Sequence, residues 1–487
     1  MPDGQMTRSA AALISFMGFG FLAVLYPMAA LVLFGLIVAG IAYAVARPFV
    51  LRLAVVALAL LPTSGLLRTS AMETDARRLA ASIESGSTQN RLASTLLLAV
   101  GVVLVFRARK QIQQMNLIPW LALFLALDYA SILWSQSAAL TLRRSTEALF
   151  VTVFALGIGG MYYARRPRGD IELVRIICWA TSILMALVVA VFVVHGDFHP
   201  ASAAWRLGHA GVENQVGSVS AVGLIVAWAT RKRKDIWENK WVIGFNLAVP
   251  GLAVLLSKSR ETWLGVLAAL CIVELLKPYS LKKKVVGVLG IACVIGAFAF
   301  IPALNEMWNR GSSENDLETA SGRTVLWERA MPTIRNHLLL GHGYGAFWTG
   351  ETVLKFSSEW SPTSLHNGYL QTTAEIGLIG LGLIITGIAV SAKNAWRLMN
   401  HPQCNEIGLA LLALYACFFV SDFFGGVLEM FNYFPVSAIL TYSFLVSHRL
   451  RLLETTRPNA NAQNAFESRE SYTPPFGNSL WDAEHPA

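Results

Sequence analysis

The stretch SLHNGYLQTTAEIGLIG, residues 364–380, places His366, Asn367, Gln371 and Glu375 at the head of an apolar run that continues as LGLIITGIAV to Val390. From residue 368 onward the run is long enough to cross a hydrocarbon core of about 30 Å, which takes roughly 20 residues. An ionisable side chain inside such a segment is expensive unless it is paired or faces water, so it marks a functional position by default. The spacing predicts a transmembrane helix over 368–390 whose polar residues gather near one end. Gln371 and Glu375, four apart, share one face of it.

The rest of the chain supplies the same solvent. Of 487 residues, 55% are hydrophobic and 14% charged, against about 25% charged in soluble domains, and the mean hydropathy is +0.52. Apolar stretches predict spans at 10–26, 28–46, 49–66, 93–106, 117–134, 147–163, 173–194, 211–229, 241–257, 262–276, 284–301, 368–390, 406–423 and 432–447. The fold class expected is an all-α polytopic membrane protein of about twelve to fourteen transmembrane helices. The first apolar run is too long for a cleaved signal and reads as a hairpin turning near Tyr26 and Pro27. The expected parts are 1–301, transmembrane helices with short loops; 302–366, one long outer loop; 367–448, C-terminal transmembrane helices; and 449–487, a disordered cytoplasmic tail rich in Asn, Pro, Ser and Thr.

Charge orients the helices. The clusters Arg107–Lys110, Arg165–Arg168, Arg231–Lys234 and Lys282–Lys284 are separated by even numbers of spans, so all four fall on the cytoplasmic side together, as the positive-inside rule requires. The same placement accounts for the net charge of +9 and removes the reason to invoke nucleic acid as a partner. The five cysteines, Cys178, Cys271, Cys293, Cys404 and Cys417, form no CxxC pattern and no disulfide framework. No HExxH or carboxylate cluster indicates a metal.

Arginine is depleted on the outer side, so three that fall there need local reasons: Arg206 in AAWRLGHAGVENQVG, Arg260 in LLSKSRETWLG and Arg323 in SGRTVLWERA. A single arginine can snorkel to headgroups or pair with a loop carboxylate. Three together favour an anion site, because the planar guanidinium suits bidentate binding of phosphate. Arg329 and Arg335 compete with Arg323 for this role. His366 has the residue type for general-base work near neutral pH, or it may simply hydrogen-bond a loop carbonyl at a helix start. LLLGHGYGAFW, residues 338–348, lacks the order of a nucleotide-binding loop and predicts a compact re-entrant loop with aromatic anchors. Asp128, in LFLALDYASILW, is a further acid within a predicted span, with no partner evident from the sequence.

Arg206 followed by a glycine and Asn214, then SKSRETWLG, SGRTVLWERA, GHGYGAFW and HNGYLQTTAEIGLIG, stand in the order found in the O-antigen ligase and Wzy-type polysaccharide polymerase family, which the chain resembles over about residues 200–385. Within that family it looks most like the succinoglycan-type exopolysaccharide polymerases. The resemblance implies a GT-C-like glycosyltransferase of the bacterial inner membrane that uses no metal or other cofactor. Its active site would face the periplasm, and its donor would be an undecaprenyl-diphosphate-linked oligosaccharide. By that resemblance His366, Arg260 and Arg206 are the catalytic group, and Arg323, Asn214, Asn367 and Glu375 bind or support substrate. A chain-length regulator and export machinery are candidate partners besides the bilayer. A ligase that transfers glycan to lipid A core would use the same donor chemistry. A flippase for lipid-linked sugars is the non-enzyme rival, but it predicts internal repeats, of which none is convincing, and charges at mid-membrane depth, whereas the candidate residues cluster at the outer ends of the spans.

Overall fold

The computed structural model describes residues 88–112, 117–164, 169–194, 198–199, 205–208, 213–237, 239–277, 281–282, 285, 287, 289–290, 322–357, 362–402, 404–425 and 433–455. The spans expected at 10–26, 28–46 and 49–66, most of 284–301, and the tail beyond residue 455 lie outside the described residues.

All regular structure among the described residues is helical: α1 Thr88–Ile112, α2 Ile118–Ala130 continued by a 3-10 turn Ser131–Leu133, α3 Ala138–Ala164, α4 Gly169–Val194, α5 Glu213–Thr230, α6 Lys240–Ser257, α7 Arg260–Leu276, α8 Arg323–Asn336, α9 Gly350–Phe356, α10 Gly368–Met399, α11 Asn405–Ser421 and α12 Tyr433–Thr455. A helix covers each span expected among these residues. By length and composition α4, α6 and α10 can each cross a membrane, and Ile118–Leu133 and α11 are shorter apolar helices. Side chains fix several helix starts. Asn239 Oδ1 accepts from Trp241 N at 2.8 Å ahead of α6, and Thr349 Oγ1 from Thr352 N at 3.2 Å ahead of α9, satisfying backbone donors that a helix start leaves open.

The main core surrounds α4. Leu184, Met185 and Phe192 on α4 cluster with Val222 and Val226 on α5, Trp263 and Val266 on α7, Leu411 and Leu414 on α11, and Tyr442 on α12. In lipid, apolar burial gives little drive between helices, so close packing and interhelical hydrogen bonds carry more of the association. Such bonds occur between Ser182 Oγ and Asn246 Oδ1 at 2.9 Å, across α4 and α6, and between Tyr415 and Ser443 hydroxyls at 2.7 Å, across α11 and α12. At one end of the bundle Arg231 pairs with Glu274 at 2.7 Å, Arg233 with Glu406 at 3.7 Å and Arg449 with Asp170 at 3.8 Å. The basic 231–234 segment therefore shares one end of the bundle with the start of α4, the end of α7 and the start of α11.

α10 is broken. Gly377 has φ 68° and ψ −173° inside it, a backbone region open essentially to glycine alone. The groups released by the break are met by the segment after α8. Leu338 O and Leu339 O accept from Leu378 N and Ile379 N at 2.9 and 3.3 Å, while His342 N and Gly343 N donate to Ala374 O and Glu375 O, each at 2.9 Å. Trp134 Nε1 and Gln136 N hold this segment from the other side through Leu340 O and His342 O, at 2.9 and 3.0 Å. The glycine-rich run is thus the compact loop expected, and its aromatic anchors are packed: His342, Phe347, Trp348 and Phe356 form a chain of ring contacts. Leu326, Ala330 and Ile334 of α8 join Phe347, Trp348, Leu365 and Ala374 in one cluster, which seats α8 and α9 on the first turns of α10.

A Cβ at Gly377 would stand 2.0 Å from Leu339 O, whereas one at Gly382, on the same helix, would meet nothing within 4 Å. Gly377→Ala is expected to cost at least about 3 kcal/mol and to deplete folded protein, with Gly382→Ala close to neutral. Membrane abundance and thermal unfolding in detergent, measured on both variants, check this.

Candidate functional site

The site forms around the turn from α6 to α7. Lys258 takes a left-handed conformation, φ 47°, so the chain reverses within three residues. Trp263 Nε1, on α7, donates to Val254 O, on α6, at 2.7 Å and clamps the two helices together. Arg206 reaches this turn from the segment before α5. Its Nε donates to Ser257 O at 2.9 Å and its Nη2 to Asn214 Oδ1 at 2.8 Å, while Leu207 N donates to Leu256 O at 2.9 Å. Arg206 and Asn214 thus act as a unit seated on the turn that launches α7.

Arg260 is the first residue of α7, Arg323 the first of α8, and His366 and Asn367 precede α10. Glu261, beside Arg260, lies 3.9 Å from Arg323, and both Glu261 and Arg323 act electrostatically on His366, so three helix N-termini, whose dipoles present partial positive charge, belong to one site, the arrangement that favours an anion. Arg323 is half-buried, with Nη2 3.9 Å from Oε1 of Glu261. Arg329 and Arg335 are exposed. The geometry thus distinguishes the three arginines that the sequence left in competition.

His366 is one of two described non-glycine residues with positive φ, at 49°, and its neighbours hold it there. Leu365 N donates to Gln371 Oε1 at 3.0 Å, Leu365 O accepts from Trp327 Nε1 at 2.7 Å, and His366 N donates to Ser364 Oγ at 3.0 Å. Asn367 caps α10 by accepting from Tyr369 N and Leu370 N at 3.1 and 3.0 Å, and its Nδ2 donates to Phe423 O at 3.1 Å. Gly368 N donates to Asp422 O at 2.8 Å. The cap is therefore Asn367. Burial, then the positive charge of Arg323, push the His366 pKa down to about 4, against an opposing pull from Glu261.

Glu375 is not beside the arginines. Lying eight residues beyond Asn367, about 12 Å along a helix, it is buried and accepts from Gln371 Nε2 at 2.5 Å. Gln371 Oε1 in turn accepts from both Trp348 Nε1 and Leu365 N, so Glu375 reaches the His366 segment through Gln371. Asp128 is fully buried within electrostatic reach of Glu375 and Tyr344, and its carboxylate has no hydrogen bond among the described residues. From the site's edge at Tyr369 and Asp422 an apolar cavity of about 670 Å³ continues between helices, lined by Leu383 and Ile388 of α10, Phe419 of α11 and Ile439 of α12. Among the described residues no three His, Cys, Asp or Glu side chains are grouped as a metal site.

Sequence reading passed over Glu261, although it directly follows Arg260 in SKSRETWLG. It also passed over Trp327, which lies within SGRTVLWERA, and Asp422, which carries no motif; both reach the site through tertiary packing.

Residues 245–385 match the family model described as O-antigen ligase. That segment runs from α6 to the break region of α10 and holds Arg260, Arg323, His366, Asn367 and Glu375. Over 330 residues the chain is 26% identical to the exopolysaccharide production protein ExoQ of Rhizobium meliloti (strain 1021), an overlap that takes in 62% of this chain and 71% of that protein. The resemblance drawn from the motifs is borne out.

An imidazole held near pKa 4 stays neutral in the folded protein at pH values where it is protonated in the unfolded chain, below about 6.5. Its folded pKa is lowered, so stability falls as pH drops through the window from 6.5 to 4. Thermal unfolding of purified protein across that window is expected to show a loss that His366→Gln reduces.

Proposed function

We propose that the protein is a membrane glycosyltransferase that polymerises undecaprenyl-diphosphate-linked repeat units into exopolysaccharide at the periplasmic face of the inner membrane. One observation carries this reading: Arg206, Arg260, Arg323 and His366 gather where the N-termini of α7, α8 and α10 meet, in and beside the segment matched by the O-antigen ligase family. The exopolysaccharide relative supports a polymerase, whereas the family description also fits a ligase that transfers finished glycan to lipid A core. The end of the bundle carrying Arg231 and Arg233 is assigned to the cytoplasm by the positive-inside rule, which turns the arginine and histidine end outward.

In this reading the guanidinium groups of Arg206, Arg260 and Arg323 hold the donor's diphosphate. The acceptor hydroxyl attacks the anomeric carbon in line as His366 removes its proton. The bond from that carbon to the diphosphate oxygen breaks, and the charge left on the diphosphate is met by the fixed cations and helix ends. Asn214 holds Arg206, Asn367 fixes the backbone behind His366, and Glu375 supports it through Gln371. The cavity that begins at Tyr369 and Asp422 has the apolar lining for part of a polyisoprenoid chain, so diphosphate and lipid tail are served by adjoining surfaces.

The test is polymer output in a deletion strain complemented with His366→Ala or Arg260→Ala, with membrane abundance checked. Each is expected to lower high-molecular-weight glycan at least about 100-fold while lipid-linked single repeats accumulate. Normal polymer from His366→Ala would overturn the role given to the imidazole, and movement of lipid-linked donor across vesicles without its consumption would favour a transporter.

A further inference from the structure

Glu261 is a charge that an anion pocket does not require. It lies in the first turn of α7 next to Arg260 and is 5% exposed. Its Oε1 has no hydrogen-bond partner among the described residues and stands 3.9 Å from Nη2 of Arg323, an ion-pair separation too long for a hydrogen bond. The residue's backbone is pinned, since its carbonyl accepts from Ser421 Oγ at 3.0 Å. The seam between α7 and α11 therefore delivers this carboxylate to the site. A negative charge beside a diphosphate weakens binding of that ligand, so its use must come later in the cycle.

The charged and titratable groups around His366 are Arg323 from α8, Glu261 and its neighbour Arg260 from α7, Tyr369 on α10 itself, and Asp422 from the end of α11. Burial and Arg323 disfavour a proton on the imidazole, and Glu261 favours one. Arg323 and Glu261 face each other at ion-pair distance without a hydrogen bond. A diphosphate offers Arg323 closer, bidentate oxygens, which cancels the positive field on His366 and leaves the carboxylate of Glu261 acting on it.

We propose that Glu261 is a positioning residue of the transfer reaction: it holds Arg323 until the donor's diphosphate takes that guanidinium, and then steadies the imidazolium formed as His366 deprotonates the acceptor. The inference rests on the reading of the site as a glycan transferase with a lipid-diphosphate donor. In the step itself the acceptor oxygen bonds to the anomeric carbon and its proton passes to a ring nitrogen of His366. The bond from the anomeric carbon to the diphosphate breaks, and its electron pair leaves with the diphosphate. Glu261 takes no proton; its charge offsets the one gained by the ring. Basicity of His366 is thereby tied to donor occupancy.

The experiment is steady-state kinetics of the full-length protein in proteoliposomes, supplied with a purified undecaprenyl-diphosphate-linked repeat unit, between pH 5 and 8.5. Wild type is compared with Glu261→Gln and Glu261→Asp. Glu261→Gln is expected to lower kcat roughly 10- to 100-fold with donor KM unchanged or reduced, because repulsion of the diphosphate is gone. The acid limb of its kcat profile should move to lower pH, since the ring has lost the charge that favours its proton. Glu261→Asp, which keeps the charge, should regain part of kcat. A raised donor KM with kcat and the acid limb unchanged would overturn the proposal, as would Glu261→Asp performing no better than Glu261→Gln. If wild type consumes no donor, the transferase reading fails and this inference falls with it; if His366→Ala turns over like wild type, the role given to the imidazole fails and this inference falls with that role. If those two controls behave as expected and Glu261→Gln matches wild type, the inference alone falls.

Discussion

The backbone pairing of residues 338–343 with 374–379 is the constraint on which the half of this molecule that carries the site depends. A helix interrupted at Gly377 releases carbonyl and amide groups in a setting where lipid cannot satisfy them, and irregular backbone at such depth is tolerated only when protein supplies the partners. The loop after α8 does so along its backbone, and with it come the aromatic cluster, α8 and the segment leading to His366. Arg323 and His366 are some forty residues apart in sequence, yet both are positioned through this contact. Gly341 meets the same demand from the opposite strand of the pairing, where an added Cβ would fall 2.3 Å from Glu375 O.

The site combines two kinds of positioning. Arg206, Asn214 and Arg260 are placed by the α6 to α7 turn, a local reversal clamped by Trp263. Arg323, His366 and Asn367 are placed by the α8 to α10 unit. Glu261 and Arg323 bring the two halves within ion-pair distance, so the electrostatics of the imidazole depend on the register between units held by separate contacts. Ser421 and Phe423 strengthen that register from α11, one through the carbonyl of Glu261 and the other by accepting from Asn367.

The helices were legible because apolar runs of membrane length have few alternatives, and every expected span among the described residues is a helix. Arg206, Arg260, Arg323 and His366 were also legible, since each is out of place by charge or polarity. The break at Gly377 was not, because glycine is common in membrane helices and nothing in AEIGLIG distinguishes a left-handed residue from a helical one. Nor was the position of Glu375: helical spacing put it on a face with Gln371 but could not say that Gln371 would hand its carbonyl to Leu365. Glu261 was hidden by its neighbour, as an acid beside an arginine reads as that arginine's local counter-charge. Its actual cation comes from a helix sixty residues away.

The left-handed backbone at His366 sets stability against chemistry at a single position. Glycine or asparagine would occupy that conformation with less strain, so the fold taken alone selects against histidine there. A substitution that improves folding would thus fall on the very residue to which the proposed mechanism gives the proton transfer, and under that mechanism its product would be a sturdier protein with an inert site.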